Sequence, residues 1–268
     1  MNRIEKSFAD LKAAGQKGFV AYIGAGDPDL EHTRQLALAL DEAGVDVLEL
    51  GVPFSDPLAD GLVNQLAAQR GLASGTTPPA LLKTVADIRR DSQVPIVLYI
   101  YFNLMHQHGL KEFMIDAKAA GVDGMLALDL PPEEADEYAG LMREAKLCSI
   151  WLVAPTTPED RVKSIVRNGS GFIYYISREG VTGMQQKVAN SIGDNISVIR
   201  KHTDLPIAVG FGISSPDQAR QVADCADAVV VGSAIVNQIA EHGAGNNLAG
   251  HVAGYVKTLV DAVKPPIS

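Results

Sequence analysis

Apolar residues recur along the chain in two alternating rhythms. Near the start, Ile4, Phe8 and Leu11 fall at helical spacing, the pattern of a short amphipathic helix. A strand-like run, Phe19–Ile23, follows and ends at Gly24-Ala25-Gly26-Asp27-Pro28, where glycine and proline mark a turn. The next helix is predicted from about Leu30 to Ala43, stopping at Gly44. Further apolar runs stand at Val45–Leu50, Pro95–Tyr101, Gly124–Leu128, Leu147–Val153, Gly171–Ile176, Pro206–Val209 and Ala228–Val231, with helical patterns between them. Two helices end alike, in Glu42-Ala43-Gly44-Val45-Asp46 and Ala119-Ala120-Gly121-Val122-Asp123, where glycine stops the helix ahead of a strand.

Short, wholly apolar strands joined by helices belong in a parallel sheet buried on both faces. Eight such units at roughly 30 residues each predict an α/β fold, a (β/α)8 barrel of the TIM type with an extra N-terminal helix that could plug one end. The whole chain, 1–268, then forms a single domain. An open doubly wound sheet ranks below this, because Gly24–Pro28 lacks the G-x-G-x-x-G spacing of a nucleotide turn. Two connections look longer than a barrel requires, Gly51 to about Asn64 and Ser177 to about Ser191. Long loops on the C-terminal face of a barrel are where function is placed.

Composition narrows the class. With 47% hydrophobic and 21% charged residues the chain can build a large core. Its 23 Lys and Arg against 32 Asp and Glu leave a net charge of −9, which argues against a nucleic-acid partner. Cys148 and Cys225 lie far apart in apolar stretches and read as buried thiols in a reducing compartment. Residues Met1 to Ser7 mix acids with bases and contain no apolar core of a signal peptide. The longest nearly uncharged run, Val94–Met105, is shorter than the roughly 18 residues a membrane span needs. A cytoplasmic protein is expected.

Three segments could carry chemistry. In Val45-Asp46-Val47-Leu48-Glu49-Leu50, alternation puts Val47 and Glu49 on one face, so if Val47 points into the barrel Glu49 does too. A carboxyl in apolar surroundings resists ionisation and can pass protons near neutrality. Asp60, beyond a proline-stiffened loop, could bring a second carboxylate over the same mouth. On spacing alone this stands level with a plainer reading, in which Glu49 ends its strand in solvent and Asp56 and Asp60 form turns.

The second segment pairs Gly210-Phe211-Gly212-Ile213-Ser214-Ser215 with Val231-Gly232-Ser233-Ala234; each follows a strand and opens a helix, the usual phosphate cradle of this fold. Tight turns with Ser214 or Ser215 as an ordinary helix cap are the alternative. The third, Ser177-Arg178-Glu179-Gly180-Val181-Thr182-Gly183-Met184, suits either a lid over substrate or a solvated loop. His106 and His108 form an H-x-H pair without a third ligand nearby, so a surface pair is the better reading than zinc, and neither cysteine has the neighbours of a nucleophile.

Taken together, Gly24–Asp29, Glu49–Gly61, Ser177–Gly183 and Val209–Ile213 occur in the order and context found in the tryptophan synthase α subunits, and the chain resembles that family from end to end. The resemblance implies a lyase that cleaves indole-3-glycerol phosphate to indole and glyceraldehyde 3-phosphate by a retro-aldol reaction, with no cofactor of its own. It implies that Glu49 is the acid/base acting at indole C3 and on the glycerol hydroxyl, and that Asp60 steadies the charge developing at the indole N1–H. Phosphate would be held by Gly183, Phe211, Gly212, Gly232 and Ser233, with Tyr174 near the substrate and Tyr22 beside the indole. Thr182 would close over the site toward Asp60, and Asp56 would face a β subunit. That partner uses pyridoxal phosphate (PLP) and takes indole through an internal channel in an α2β2 complex.

One departure is visible. Leu62-Val63-Asn64-Gln65 stands where many members have Pro-x-Ile-Gln, which could loosen the loop and alter coupling to the partner. A free-standing lyase and a catalytically silent activator of the β chain are the alternatives, and the presence of both Glu49 and Asp60 argues against silence.

Overall fold

The structure, a computed structural model, describes residues 1–177, 185–210, 212–243, 245 and 247–264, with only the backbone over 185–191. The first half runs α1 (Arg3–Ala13), β1 (Gly18–Gly24), α2 (Leu30–Glu42), β2 (Val47–Gly51), α3 (Leu62–Ala73), α4 (Pro78–Ile88), β3 (Ile96–Ile100), α5 (Phe102–His108), α6 (Leu110–Ala120) and β4 (Gly124–Ala127). A 3₁₀ turn at Pro132–Glu134 leads to α7 (Asp136–Glu144), β5 (Cys148–Val153), α8 (Glu159–Asn168), β6 (Ile173–Ile176), α9 (Gln185–Arg200), β7 (Ile207–Gly210), α10 (Pro216–Ala223), β8 (Ala228–Val231), α11 (Ser233–His242) and α12 (Leu248–Val263). The strands pair in sequence order, all parallel, and β8 returns to β1 to close the barrel.

Alternation along the strands splits the core in two. Phe19, Ala21, Ile23, Leu48, Leu50 and their counterparts face the helices, while Val20, Val47, Val97, Leu126, Ile150 and Phe172 fill the barrel interior. Ile4, Phe8 and Leu11 of α1 belong to the interior cluster, with the Phe8 ring 5.5 Å from that of Phe172, so the predicted plug closes the N-terminal end. A capping box between Asn2 and Glu5 starts this helix, and the Asn2 amide also donates to the Asp123 carbonyl at 2.8 Å, tying plug to barrel.

Every even-numbered strand is preceded by one device. The backbone N–H of Asp46, Asp123, Ser170 or Asp227 donates to a carbonyl near the start of the preceding strand, that of Phe19, Ile96, Ser149 or Ile207 respectively. The side-chain oxygen of the same residue then accepts that strand residue's own N–H, at 2.7, 3.0, 2.9 and 2.8 Å. This two-point clasp is why β2 begins at Val47 and not at the predicted Val45: Val45 and Asp46 belong to the approach.

The second connection is shorter than expected, because the chain is already helical from Gln185 and not only from Ser191. The loop after β2 ends at Gly61, with Leu62 opening α3. Cys148 is buried, but Cys225 is only half-buried, because it sits in the turn between α10 and β8 with its Sγ against the Val222 carbonyl. Among the described residues no helix is long and apolar enough to cross a membrane.

Candidate active site

Val47 faces the barrel interior, and Glu49, two residues on, does too, at the C-terminal end of β2. Its Cα is in register with that of Tyr22 on β1. The side chain is 1% exposed, and its Oε1 has no hydrogen-bond partner among the described residues. Water is lost without a replacement donor, so the anion is penalised and the carboxyl is pushed up from 4.5 to about 8. The reading of Glu49 as a solvent-facing strand end is thereby overturned.

Asp60 arrives on the loop between β2 and α3. Tyr101, the residue before α5, fastens that loop: its ring packs on Phe54 at 4.9 Å and its Oη accepts the Ala59 N–H at 3.0 Å and donates to Asp60 Oδ2 at 2.9 Å. From inside the barrel, Tyr99 of β3 donates its hydroxyl to Asp60 Oδ1, also at 2.9 Å. Burial first, and the Asp60 charge second, push the Tyr99 phenol well above its usual value, and burial with the bond to Asp60 raises Tyr101, so both remain protonated donors.

Tyr22 links the two carboxyls. Its ring meets Tyr99 edge-on at 5.0 Å and 71°, and after burial the charges of Asp60 and Glu49 both push its phenol upward. Tyr174 on β6 is raised by burial and by Glu49. Both phenols occupy room that only glycine leaves: a Cβ at Gly51 would come within 2.2 Å of the Tyr22 oxygen, and one at Gly210 within 2.5 Å of the Tyr174 oxygen. Two carboxyls of opposite character therefore share one mouth, the first stripped of donors and the second supplied with two.

The loops after β7 and β8 finish the site. Gly232 backs onto Tyr22, where a Cβ would touch the Tyr22 Cβ at 3.5 Å, and α11 begins at Ser233 with no side-chain cap. Its free N–H groups and the helix dipole suit an anion. Gly212 has φ +59°, and among the described residues no atom comes within 4 Å of where its Cβ would stand. Ser215 is the cap of α10, and the Ser214 N–H is taken by Gln218 Oε1 at 2.8 Å, so these two serines serve the helix.

Thr182, Gly183 and Phe211 lie outside the described residues. Asp56 is exposed, with the Ser55 hydroxyl donating to its carboxylate at 2.6 Å. In the divergent segment, Asn64 has a buried side-chain oxygen without a partner among the described residues, while Gln65 donates to the Asp60 carbonyl at 2.9 Å. His106 is exposed, and His108 pairs with Asp116 at 2.9 Å. Among the described residues no cluster of three or more His, Cys, Asp or Glu is placed to hold a metal ion. Tyr99 and Tyr101 are the site residues that the sequence reading missed; the alternation Val97, Tyr99, Tyr101 past the end of a strand was the available signal.

A family profile described as tryptophan synthase alpha chain matches residues 8–263. The tryptophan synthase alpha chain of Opitutus terrae is 50% identical over 98% of this chain and 100% of its own length. That of Geotalea daltonii is 48% identical over the whole of both. Among solved structures, tryptophan synthase subunit alpha from Legionella pneumophila superposes with a TM-score of 0.91 at 37% identity, covering 98% of each chain.

Proposed function

The chain belongs to the tryptophan synthase alpha chain family and is a carbon–carbon lyase of tryptophan biosynthesis, and on that premise we propose that Glu49 moves the protons and Asp60 holds the charge of its retro-aldol reaction. The reaction cleaves indole-3-glycerol phosphate to indole and glyceraldehyde 3-phosphate. The observation that supports this division is the Glu49 carboxyl, buried, without a partner for Oε1, and raised to about 8.

Glu49 holds a proton near neutrality and delivers it to indole C3. Positive charge then develops on the ring N1–H, opposite the carboxylate of Asp60. The Glu49 carboxylate next takes the proton of the glycerol hydroxyl beside C3, the C–C bond breaks toward the ring, and an aldehyde and indole result with Glu49 reprotonated. The protonated ring is its own electron sink, so the reaction as written asks for no cofactor on this chain.

Gly212, Gly232 and Ser233, joined by Gly183 and Phe211, would hold the phosphate. Tyr22 would lie beside the indole, Tyr174 near the substrate, and Thr182 would close toward Asp60. We read 1–268 as one barrel domain, and the two free cysteines accord with a cytoplasmic setting.

A PLP-dependent β subunit, in an α2β2 complex, is the partner the family implies. Support comes from the segment that carries Asp60: Leu58, Leu62 and Leu66 are 92%, 70% and 43% exposed, and lie close to the exposed Asp56 in the chain. Clustered apolar exposure with a polar border marks a docking surface. The test is indole release by the purified chain with and without a β subunit. Slow release that rises on adding β supports the coupled subunit, fast release alone the free-standing lyase, and none in either case a silent activator. Glu49→Gln is expected to lower turnover at least about a hundredfold with folding intact, whereas a several-fold effect removes Glu49 from its role.

A further inference from the structure

We propose that Tyr99 is a positioning residue of the reaction: its hydroxyl fixes Asp60 against the strand layer that holds Glu49. The inference rests on the lyase reading above and adds a residue to it. Asp60 sits on a loop whose neighbours Asp56, Leu58, Ala59 and Gly61 are exposed, and a loop holds a carboxylate less exactly than a strand does. Two phenols compensate, and they are not equivalent. Tyr101 binds the loop in three places, at Phe54, Ala59 and Asp60, so its loss would loosen the whole segment. The Tyr99 carbonyl accepts the Val52 N–H at 2.9 Å where the loop leaves β2, but among the described residues its side chain makes one hydrogen bond to the loop, that to Asp60 Oδ1.

The other side of Tyr99 reaches the rigid interior. It is the register partner of Gly51, two residues beyond Glu49 on β2. Its ring lies edge-on to Tyr22, the register partner of Glu49 on β1. One hydroxyl therefore joins the loop-borne member of the carboxyl pair to the strand layer that carries the other. A neutral phenol donating to a carboxylate is a charge-assisted bond; with Tyr101 on Oδ2 each oxygen of Asp60 holds one donor, and the remaining lone pairs can still accept the N–H of a substrate ring.

Tyr99→Phe removes this hydroxyl and keeps the ring against Tyr22. Losing a hydrogen bond to a charged group at the reacting end predicts a fall in kcat of about tenfold or more, with KM changed less than about twofold. The same change in an Asp60→Ala background is expected to alter kcat by less than about twofold, because the acceptor through which it acts is gone. Tyr99→Phe with unchanged kcat, or with the same loss in both backgrounds, overturns the proposal and leaves Tyr99 a packing residue. Absence of indole release by the unsubstituted chain together with a β subunit counts against the lyase reading instead. In that event the crystal structure of Tyr99→Phe still decides: Asp60 displaced from Tyr101 supports the tether, and Asp60 in place overturns it.

Discussion

A carboxyl whose pKa is higher in the fold than in the unfolded chain binds its proton more tightly when folded. For Glu49, raised from 4.5 to about 8, stability is therefore unaffected below the lower value and falls as pH climbs between the two. The slope is about 1.4 kcal/mol per pH unit, so near neutrality the site costs on the order of 3 kcal/mol. Glutamine keeps the shape and removes the ionisation. Glu49→Gln is accordingly expected to melt higher than the parent at pH 8 and level with it at pH 5. An equal difference at both pH values would show that burial does not hold this carboxyl neutral. Ser233, after β8, offers the matching experiment two strands from Glu49. Ser233→Asp places a negative charge at the open N-terminus of α11 and should raise KM for the phosphate ester about tenfold or more with modest change in kcat. An unchanged KM would remove Ser233 from the phosphate site. At this scale the sequence was half readable. Two-residue alternation from Val47 was enough to place Glu49, but the donors to Asp60 lie 39 and 41 residues away in the chain, a pairing that the β2–β3 register creates.

The elements show a similar division. Gly44 and Gly121, with φ +94° and +96°, end their helices as their local motif predicts. Asp46 and Asp123 stand two residues later in the same motif, yet their work is not local, since each clasps the preceding strand. Three of the four clasps also carry a cation: Lys264 on Asp46, Arg3 and Arg89 on Asp123, and Arg200 on Asp227. The fourth, at Ser170, is neutral and holds one N–H of Ser149. Asp123 is the most deeply set, 2% exposed in its side chain beside an Arg89 that is 9% exposed. Removing it strands a buried guanidinium, so Asp123→Ala should cost about 3 to 5 kcal/mol. Ser170→Ala removes a neutral hydrogen bond and should cost about 1 kcal/mol. Urea unfolding of the two variants checks the order, and equal losses would mean that the ion pairs add nothing to the clasp.

Across the whole molecule, stability and chemistry occupy opposite ends of one barrel. The plug α1 and the four clasps lie at the starts of the strands, whereas Glu49, Asp60, the tyrosines and the α11 N-terminus lie at their other ends. Eight apolar runs announced the barrel, because strands buried on both faces cannot be disguised by polar residues. Which loops meet over its mouth was not readable, since that depends on strand order and tilt. Among the described residues, large apolar side chains are left exposed beside Asp60 by Leu58, Leu62 and Leu66, on the loop and helix flanking it. If the partner docks there, its binding is felt by the loop that carries Asp60, and activation needs no separate relay. Leu58→Asp tests this, because the side chain is 92% exposed and contributes little to the core. Exposed substitutions ordinarily shift stability by about half a kcal/mol, so release of indole by the isolated variant should stay within about twofold of the parent. Stimulation by the β subunit should be lost or need far higher β concentrations, since a charge facing an apolar interface must be desolvated. Retained stimulation at the same β concentration would move the docking surface elsewhere on the barrel and separate Asp60 from the partner's influence.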